Sequence, residues 1–167
     1  MISIEAASEI DIPTIQAIAN ITWPNTFRPL MSEQKLNYMM DMMYSTEALA
    51  HQMKEEHHHY LLIYFENKAV GYSSYELNYR GDSQIMMHKL YVLPSVQRKG
   101  IGRLVIDHLS EIGKEHQQNS LRLQVLHTNE KAMAFYERLG FHKAGQEPKV
   151  LSKELGSFTD NVMVKDL

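Results

Sequence analysis

The chain has 167 residues, about one domain's worth, and a domain of that length buries roughly 70% of the surface its unfolded chain exposes. Apolar residues make up 44% and charged residues 22%, an ordinary globular composition that excludes disordered, collagen-like and coiled-coil classes. With no cysteine and a formal net charge of −3, disulfides, thiolate metal sites, a cysteine nucleophile and a global basic field for nucleic acid or an anionic membrane drop out as well.

Met1 leads into Ile2-Ser3-Ile4-Glu5 without a basic or apolar leader segment, and runs such as Leu61 to Phe65 are strand-length, so the expected setting is cytoplasmic with no membrane partner. Ile2 and Ile4 alternate in a short first strand, and Ser8-Glu9-Ile10-Asp11 has the shape of a capping box. Ile12, Ile15 and Ala19 keep helical spacing until Pro24, which is expected to end the helix and open an irregular stretch to Pro29. Ser32 opens a methionine-rich helix carrying Leu36, Met39, Met40 and Met43, and a third helix is expected from Thr46 to about His57. Tyr60 to Phe65 and Ala69 to Tyr79 read as strands joined at Glu66-Asn67-Lys68, with a second turn at Arg80-Gly81-Asp82.

A strand over Ile85 to Val92 ends at Pro94, and from Gly100 to His116 the residues Ile101, Leu104, Val105, Leu109 and Ile112 form a helical stripe. Leu121, Leu123 and Val125 alternate with Arg122 and Gln124 in the next strand. Asn129 to Leu139 reads as a helix closed by a left-handed Gly140, and Phe141 to Ala144 and about Ser157 to Lys165 as the last strands. The expectation is one α/β domain over residues 1–167, with a central mixed, mostly antiparallel sheet flanked by helices.

The stretch Leu90-Tyr91-Val92-Leu93-Pro94-Ser95-Val96-Gln97-Arg98-Lys99-Gly100-Ile101-Gly102-Arg103 runs from a buried strand through a two-glycine loop into a helix. A helix start leaves about four backbone N–H groups without partners and carries partial positive charge, and glycines admit a phosphate to the backbone. Arg98, Lys99 and Arg103 add formal charge. A P-loop would place Ser or Thr after Gly-Lys, and a dinucleotide fingerprint would place glycine where Val105 stands, so both are excluded. Further on, Asn129 opens a helix on which Tyr136, about two turns along, shares its face.

Gln97-x-x-Gly100-x-Gly102 after an apolar strand closely resembles the coenzyme A loop of the GNAT superfamily of N-acetyltransferases. Asn129-x-x-Ala132-x-x-Phe135-Tyr136 followed by Gly140-Phe141 is similar to that family's second hallmark, and the two occur in the family's order. The resemblance implies acetyl-CoA as co-substrate, wedged between splayed central strands over Ile85–Val92 and Leu121–Val125. Backbone groups at Leu90, Tyr91 and Val92 would pair with the pantetheine arm, and Gln97, Arg98, Lys99, Gly100, Ile101, Gly102 and Arg103 would form the diphosphate loop. Asn129 would touch the cofactor arm and Tyr136 would face its sulfur. The opening Thr22-Trp23-x-x-Thr26-Phe27 is similar to PaiA-like polyamine acetyltransferases.

The reaction so implied is direct transfer of an acetyl group to a primary amine in a ternary complex, with no metal and no covalent enzyme intermediate. An alkylamine with a pKa near 10.4 must lose a proton before it attacks. His88, two residues before Leu90, is the candidate proton relay, and Glu76 and Tyr79 are lesser acceptor-site candidates. Tyr136 is assigned to protonate the leaving thiolate. The run His57-His58-His59 lacks a zinc-protease pattern and reads as a solvated helix end. The acceptor remains open: a polyamine, another small amine, or a protein N-terminus or lysine. Two rivals stand beside the enzyme, a catalytically silent CoA-binding regulatory module and, on the local charges alone, a nucleic-acid binder; the latter lacks interleaved stacking aromatics. A homodimer is implied by the resemblance alone.

Overall fold

A computed structural model describes residues 1–167. Its strands are β1 (Ile2–Ala6), β2 (His59–Phe65), β3 (Lys68–Glu76), β4 (Gln84–Val92), β5 (Ser120–Leu126), β6 (His142–Ser152) and β7 (Gly156–Asp166). The helices are α1 (Ile12–Phe27), α2 (Glu33–Tyr44), α3 (Thr46–Lys54), α4 (Ile101–Glu115) and α5 (Glu130–Arg138). The strands form one sheet in the order β1-β2-β3-β4-β5-β7-β6. The pairs β1–β2, β2–β3, β5–β7 and β6–β7 are antiparallel and β4–β5 is parallel, which is the mixed, mostly antiparallel sheet expected. The chain divides into two compact units, Met1–Glu76 with His88–His108, and Leu77–Met87 with Leu109–Leu167.

In the first unit, Glu66 and Asn67 adopt φ 50° and 63°, the left-handed pair that a two-residue hairpin needs to match strand twist, and Phe65 pairs with Lys68. The Ser8–Asp11 capping box forms, Ser8 N–H donating to Asp11 Oδ2 at 2.9 Å, around a single 3₁₀ turn that leads into α1. Helix α1 runs through Pro24, contrary to the expected stop. Pro24 removes only the bond to the Asn20 carbonyl, and Asn20 is exposed to solvent. Arg28 N–H donates to the Pro24 carbonyl at 3.0 Å, and burial of Trp23 and Phe27, 4.4 Å between ring centroids, holds the last turn. Ser32 and Ser45 cap α2 and α3 by accepting from Lys35 N–H and Ala48 N–H.

Two boundaries fall short of expectation. Helix α3 stops at Lys54, and His57 takes φ 58°, turning the chain before β2. Strand β3 ends at Glu76, so Tyr79 sits in a 3₁₀ turn over Tyr79–Gly81. On α4, Ile101, Val105, Ile106 and Leu109 are buried while Leu104 is 44% exposed, so Ile106 takes the place given to Leu104 in the stripe.

In the second unit, Gln84 to Met87 pair with Ser120 to Leu123, and β5 continues the ladder into β7, where Leu123 faces Met163. Leu121, Leu123 and Val125 are buried and Arg122 and Gln124 half-buried, as the alternation requires. Strand β6 extends to Ser152, eight residues beyond the expected end at Ala144. It is the last strand in the sheet order and mostly exposed, so it shows no apolar alternation, and an edge position accommodates Pro148.

Candidate active site

The loop after β4 leaves a run of backbone amides without partners in the chain. Leu93 N–H donates to the Val70 carbonyl at 2.8 Å, Val96 N–H to the Leu93 carbonyl at 3.1 Å and Gln97 N–H to the Pro94 carbonyl at 3.3 Å, which pins the loop's start to β3. The Gln97 side chain folds back, Nε2 donating to the Val92 carbonyl at 3.1 Å. The first helical bond is Leu104 N–H to the Gly100 carbonyl. From Arg98 to Arg103, six consecutive amides therefore donate to nothing within the chain. Arg98 and Gly100 take φ 67° and 77°, the alternation that turns successive N–H groups into an anion-binding concavity, and a Cβ at Gly100 would meet nothing within 4 Å. Arg98, Lys99 and Arg103 are exposed around it. These groups fit a diphosphate: amides, the start of the α4 dipole and three cations, with no carboxylate among residues 97–103.

Leu90, Tyr91 and Val92 form the end of β4 and are half-buried. The Tyr91 ring is committed to the core, with centroids 5.7 Å from Tyr72, 5.8 Å from Trp23 and 6.2 Å from Phe27. Strand β3 approaches closely here: a Cβ at Gly71 would lie 2.7 Å from the Tyr91 carbonyl oxygen.

In the second unit, Asn129 is the N-cap of α5, its Oδ1 accepting from Ala132 N–H at 3.3 Å, which leaves the amide nitrogen for another acceptor. Tyr136 is half-buried between Phe135 and Phe141, 5.1 Å and 5.6 Å between centroids. Its hydroxyl bonds to no other residue, and burial raises its pKa, so the phenol stays protonated at neutral pH. A protonated, unpartnered hydroxyl is suited to donate.

His88 does not stand alone. Its Nε2 lies 2.9 Å from Glu76 Oε1, and the His58 ring stacks on it at 3.9 Å with 17° between planes. His58 Nε2 is 3.8 Å from the same Glu76 oxygen and 3.8 Å from Glu56 Oε2. The histidine run is therefore no solvated helix end: after the left-handed His57, His58 turns inward, its side chain 12% exposed. Burial, reinforced by His88 and Lys89, lowers its pKa to about 3, so it is neutral at physiological pH. The ligand-type atoms of His58, Glu76 and His88 lie within 4.8 Å of one another, but the imidazoles are cofacial. Within the cluster His88 and Glu76 are hydrogen-bonded, and His58 stacks on His88 without a hydrogen bond of its own to Glu76.

Sequence reasoning missed Lys89. Its side chain is buried, Nζ donating to Gln52 Oε1 at 2.9 Å and Tyr60 Oη at 2.6 Å and lying 4.6 Å from the Tyr44 ring centroid. It forms no ion pair, and burial brings its pKa down to about 7. The available signal was a lysine inside the apolar run from Ile85 to Val92.

Comparison with known proteins identifies the family and the fold. The profile described as the acetyltransferase (GNAT) family matches residues 15–141. An uncharacterized N-acetyltransferase from Lactobacillus delbrueckii subsp. lactis is 21% identical over 158 residues, 92% of this chain and 91% of that one. The thialysine N-epsilon-acetyltransferase of Bos taurus is 34% identical over 73 residues, 42% of this chain and 43% of its own length. The crystal structure of the PaiA N-acetyltransferase of Thermoplasma acidophilum in complex with coenzyme A superposes with a TM-score of 0.82 at 20% identity, covering 100% of this chain and 99% of that one. No helix is long and apolar enough to cross a membrane. The chain belongs to the GNAT family of acetyltransferases, enzymes that move an acetyl group onto nitrogen.

Proposed function

We propose that this protein transfers the acetyl group of acetyl-CoA directly to the primary amine of a small molecule. The observation that carries the reading is the run of six unpartnered amides from Arg98 to Arg103, ringed by three cations. They hold the diphosphate, and the backbone of Leu90 to Val92 receives the pantetheine arm as an added strand. Asn129 offers its amide nitrogen to that arm. Acetyl-CoA supplies an activated thioester carbonyl, and the protein's work is to position the amine, remove its proton and protonate the leaving sulfur.

His88 takes the proton. The bond to Glu76 is made by Nε2–H, which puts the basic lone pair on Nδ1. Tyr136 donates to the thiolate as it leaves, which its protonated state permits. Glu56 and Glu76 beside the histidines favour a cationic amine, and the PaiA likeness makes polyamines the first class to test. A panel of amines, polyamines included, incubated with acetyl-CoA and read by thiol release tests the reading. Release with at least one small amine is expected. A protein that binds acetyl-CoA yet releases thiol with no amine, peptides included, would instead be a silent regulatory module.

A further inference from the structure

We infer that Glu76 is the positioning residue for His88: it fixes the ring's tautomer and raises its basicity, while the stacked His58 holds the ring plane. This rests on the assignment of His88 as the base. The geometry is specific. One carboxylate oxygen, Glu76 Oε1, lies 2.9 Å from His88 Nε2 and 3.8 Å from His58 Nε2, although Glu76 ends β3, His88 is in the middle of β4 and His58 precedes β2. Glu76 and both histidines are largely buried, with side-chain exposures of 22%, 18% and 12%. A carboxylate in that position accepts the Nε2–H bond and so selects the tautomer that carries the basic lone pair on Nδ1.

Protonation of His88 by an attacking amine creates an imidazolium directly against that carboxylate, so the charge is compensated where it forms. The titratable groups acting on the cluster are Glu56 before β2, His59 on β2 and Lys89 on β4, besides Glu76 itself. Lys89 and a second imidazolium both oppose protonation of this pair, and His58 has lost its proton already under burial.

The test is Glu76→Gln, which keeps an oxygen to accept from Nε2–H and removes only the charge. The His88 titration is followed by ¹H–¹⁵N NMR in the wild type and the variant, beside the pH–rate profile of acetyl transfer. Loss of the carboxylate should lower the His88 pKa by about one unit, since a neighbouring opposite charge favours the ionised imidazole by one to three. The acidic limb of the rate profile should move to lower pH by the same amount, with plateau turnover down about tenfold or more. Glu76→Asp, which keeps the charge at shorter reach, should restore most of both. His58→Phe preserves a stacking face and should leave the limb in place. An unmoved His88 titration in a folded Glu76→Gln protein overturns the inference, as does a His58→Phe limb that moves as far. His88→Ala separates the two readings: retention of the acidic limb there removes His88 as base, whereas the NMR shift still reports on Glu76. If Glu76→Gln does not fold, Glu76→Ser, which also removes the charge, carries the test, and coincidence of its His88 titration with wild type overturns the inference.

Discussion

Tyr136 shows how burial sets a residue's role. Phe135 and Phe141 flank the ring, no side chain takes the hydroxyl, and the phenol is held protonated. Such a group donates a proton or a strong hydrogen bond to a developing thiolate but does not serve as a base at neutral pH. Tyr136→Phe is expected to lower kcat by about ten- to a hundredfold while leaving the acetyl-CoA dissociation constant within about twofold. Stopped-flow turnover and calorimetry check the two halves, and unchanged turnover returns Tyr136 to a packing role. Lys89 presents the opposite situation, an amine inside the protein without an ion-pair partner. Lys89→Met keeps the stem, removes the buried amine and leaves Tyr60 Oη bonded to Gln52 Oε1. The variant is expected to be more stable than wild type at pH 7 by about 1–3 kcal/mol. The sign follows from the lowered pKa: between about 7 and 10.5 the unfolded lysine binds a proton that the folded one does not, so wild-type stability rises with pH across that window. The advantage of Lys89→Met should shrink toward pH 10, as measured by urea melts.

At the scale of elements, the loop from Gln97 to Arg103 and the approach of β3 to β4 form one construction. Backbone bonds from Leu93, Val96 and Gln97 fix the loop's start, after which the left-handed Arg98 and Gly100 release the amides. Gly102→Asp introduces a carboxylate and a side chain into the first turn of α4, where an anion is to sit. It should abolish acetyl-CoA binding by calorimetry while far-UV circular dichroism stays native; unchanged affinity contradicts the diphosphate assignment. Gly71→Ala acts from the neighbouring strand. Its Cβ would lie 2.7 Å from the Tyr91 carbonyl oxygen and 3.3 Å from the Val92 Cα, both backbone atoms that cannot rotate away. We expect a loss of about 1–3 kcal/mol, together with a raised KM for acetyl-CoA as the end of β4 is displaced. Wild-type values for both would mean that β3 yields instead.

For the whole molecule, acid stability reports on both units. His58 in the first has a folded pKa of about 3, set by burial and then by His88 and Lys89, against 6.5 when unfolded. Glu147 in the second is brought to about 2 by Arg80, then by Arg122, against 4.5. In each window the unfolded chain binds more protons, so stability is complete above the unfolded pKa and is lost as pH falls toward the folded one. Burial shifts Asp160 the other way and offsets part of the loss. The melting temperature should therefore fall from pH 6.5 downward, the first part of the decline disappearing in His58→Phe. A wild-type decline that begins only below pH 4.5 would show that His58 is protonated in the folded state.

Much of this was legible in one dimension because it depends on local chemistry. Helical and strand periodicity, hydroxyl caps at Ser32 and Ser45, the Asn67 turn and the two glycine-bearing motifs are each decided by neighbours within a few residues. Boundaries were misread where distant packing overrides a local signal: Pro24 stays helical because Trp23 and Phe27 are buried, and the exposed edge strand β6 has no apolar face to announce it. The cluster of His58, Glu76 and His88 was out of reach for the same reason. Residues 58, 76 and 88 share no spacing, and nothing in the order of letters places one carboxylate oxygen beside two imidazoles. The sequence by itself determined the chemistry available: a glycine-bearing loop at a helix start, a tyrosine and a set of histidines and carboxylates. Which of those meet, and which charges burial suppresses, was decided by the tertiary structure, because contact and desolvation are properties of packed strands rather than of position along the chain.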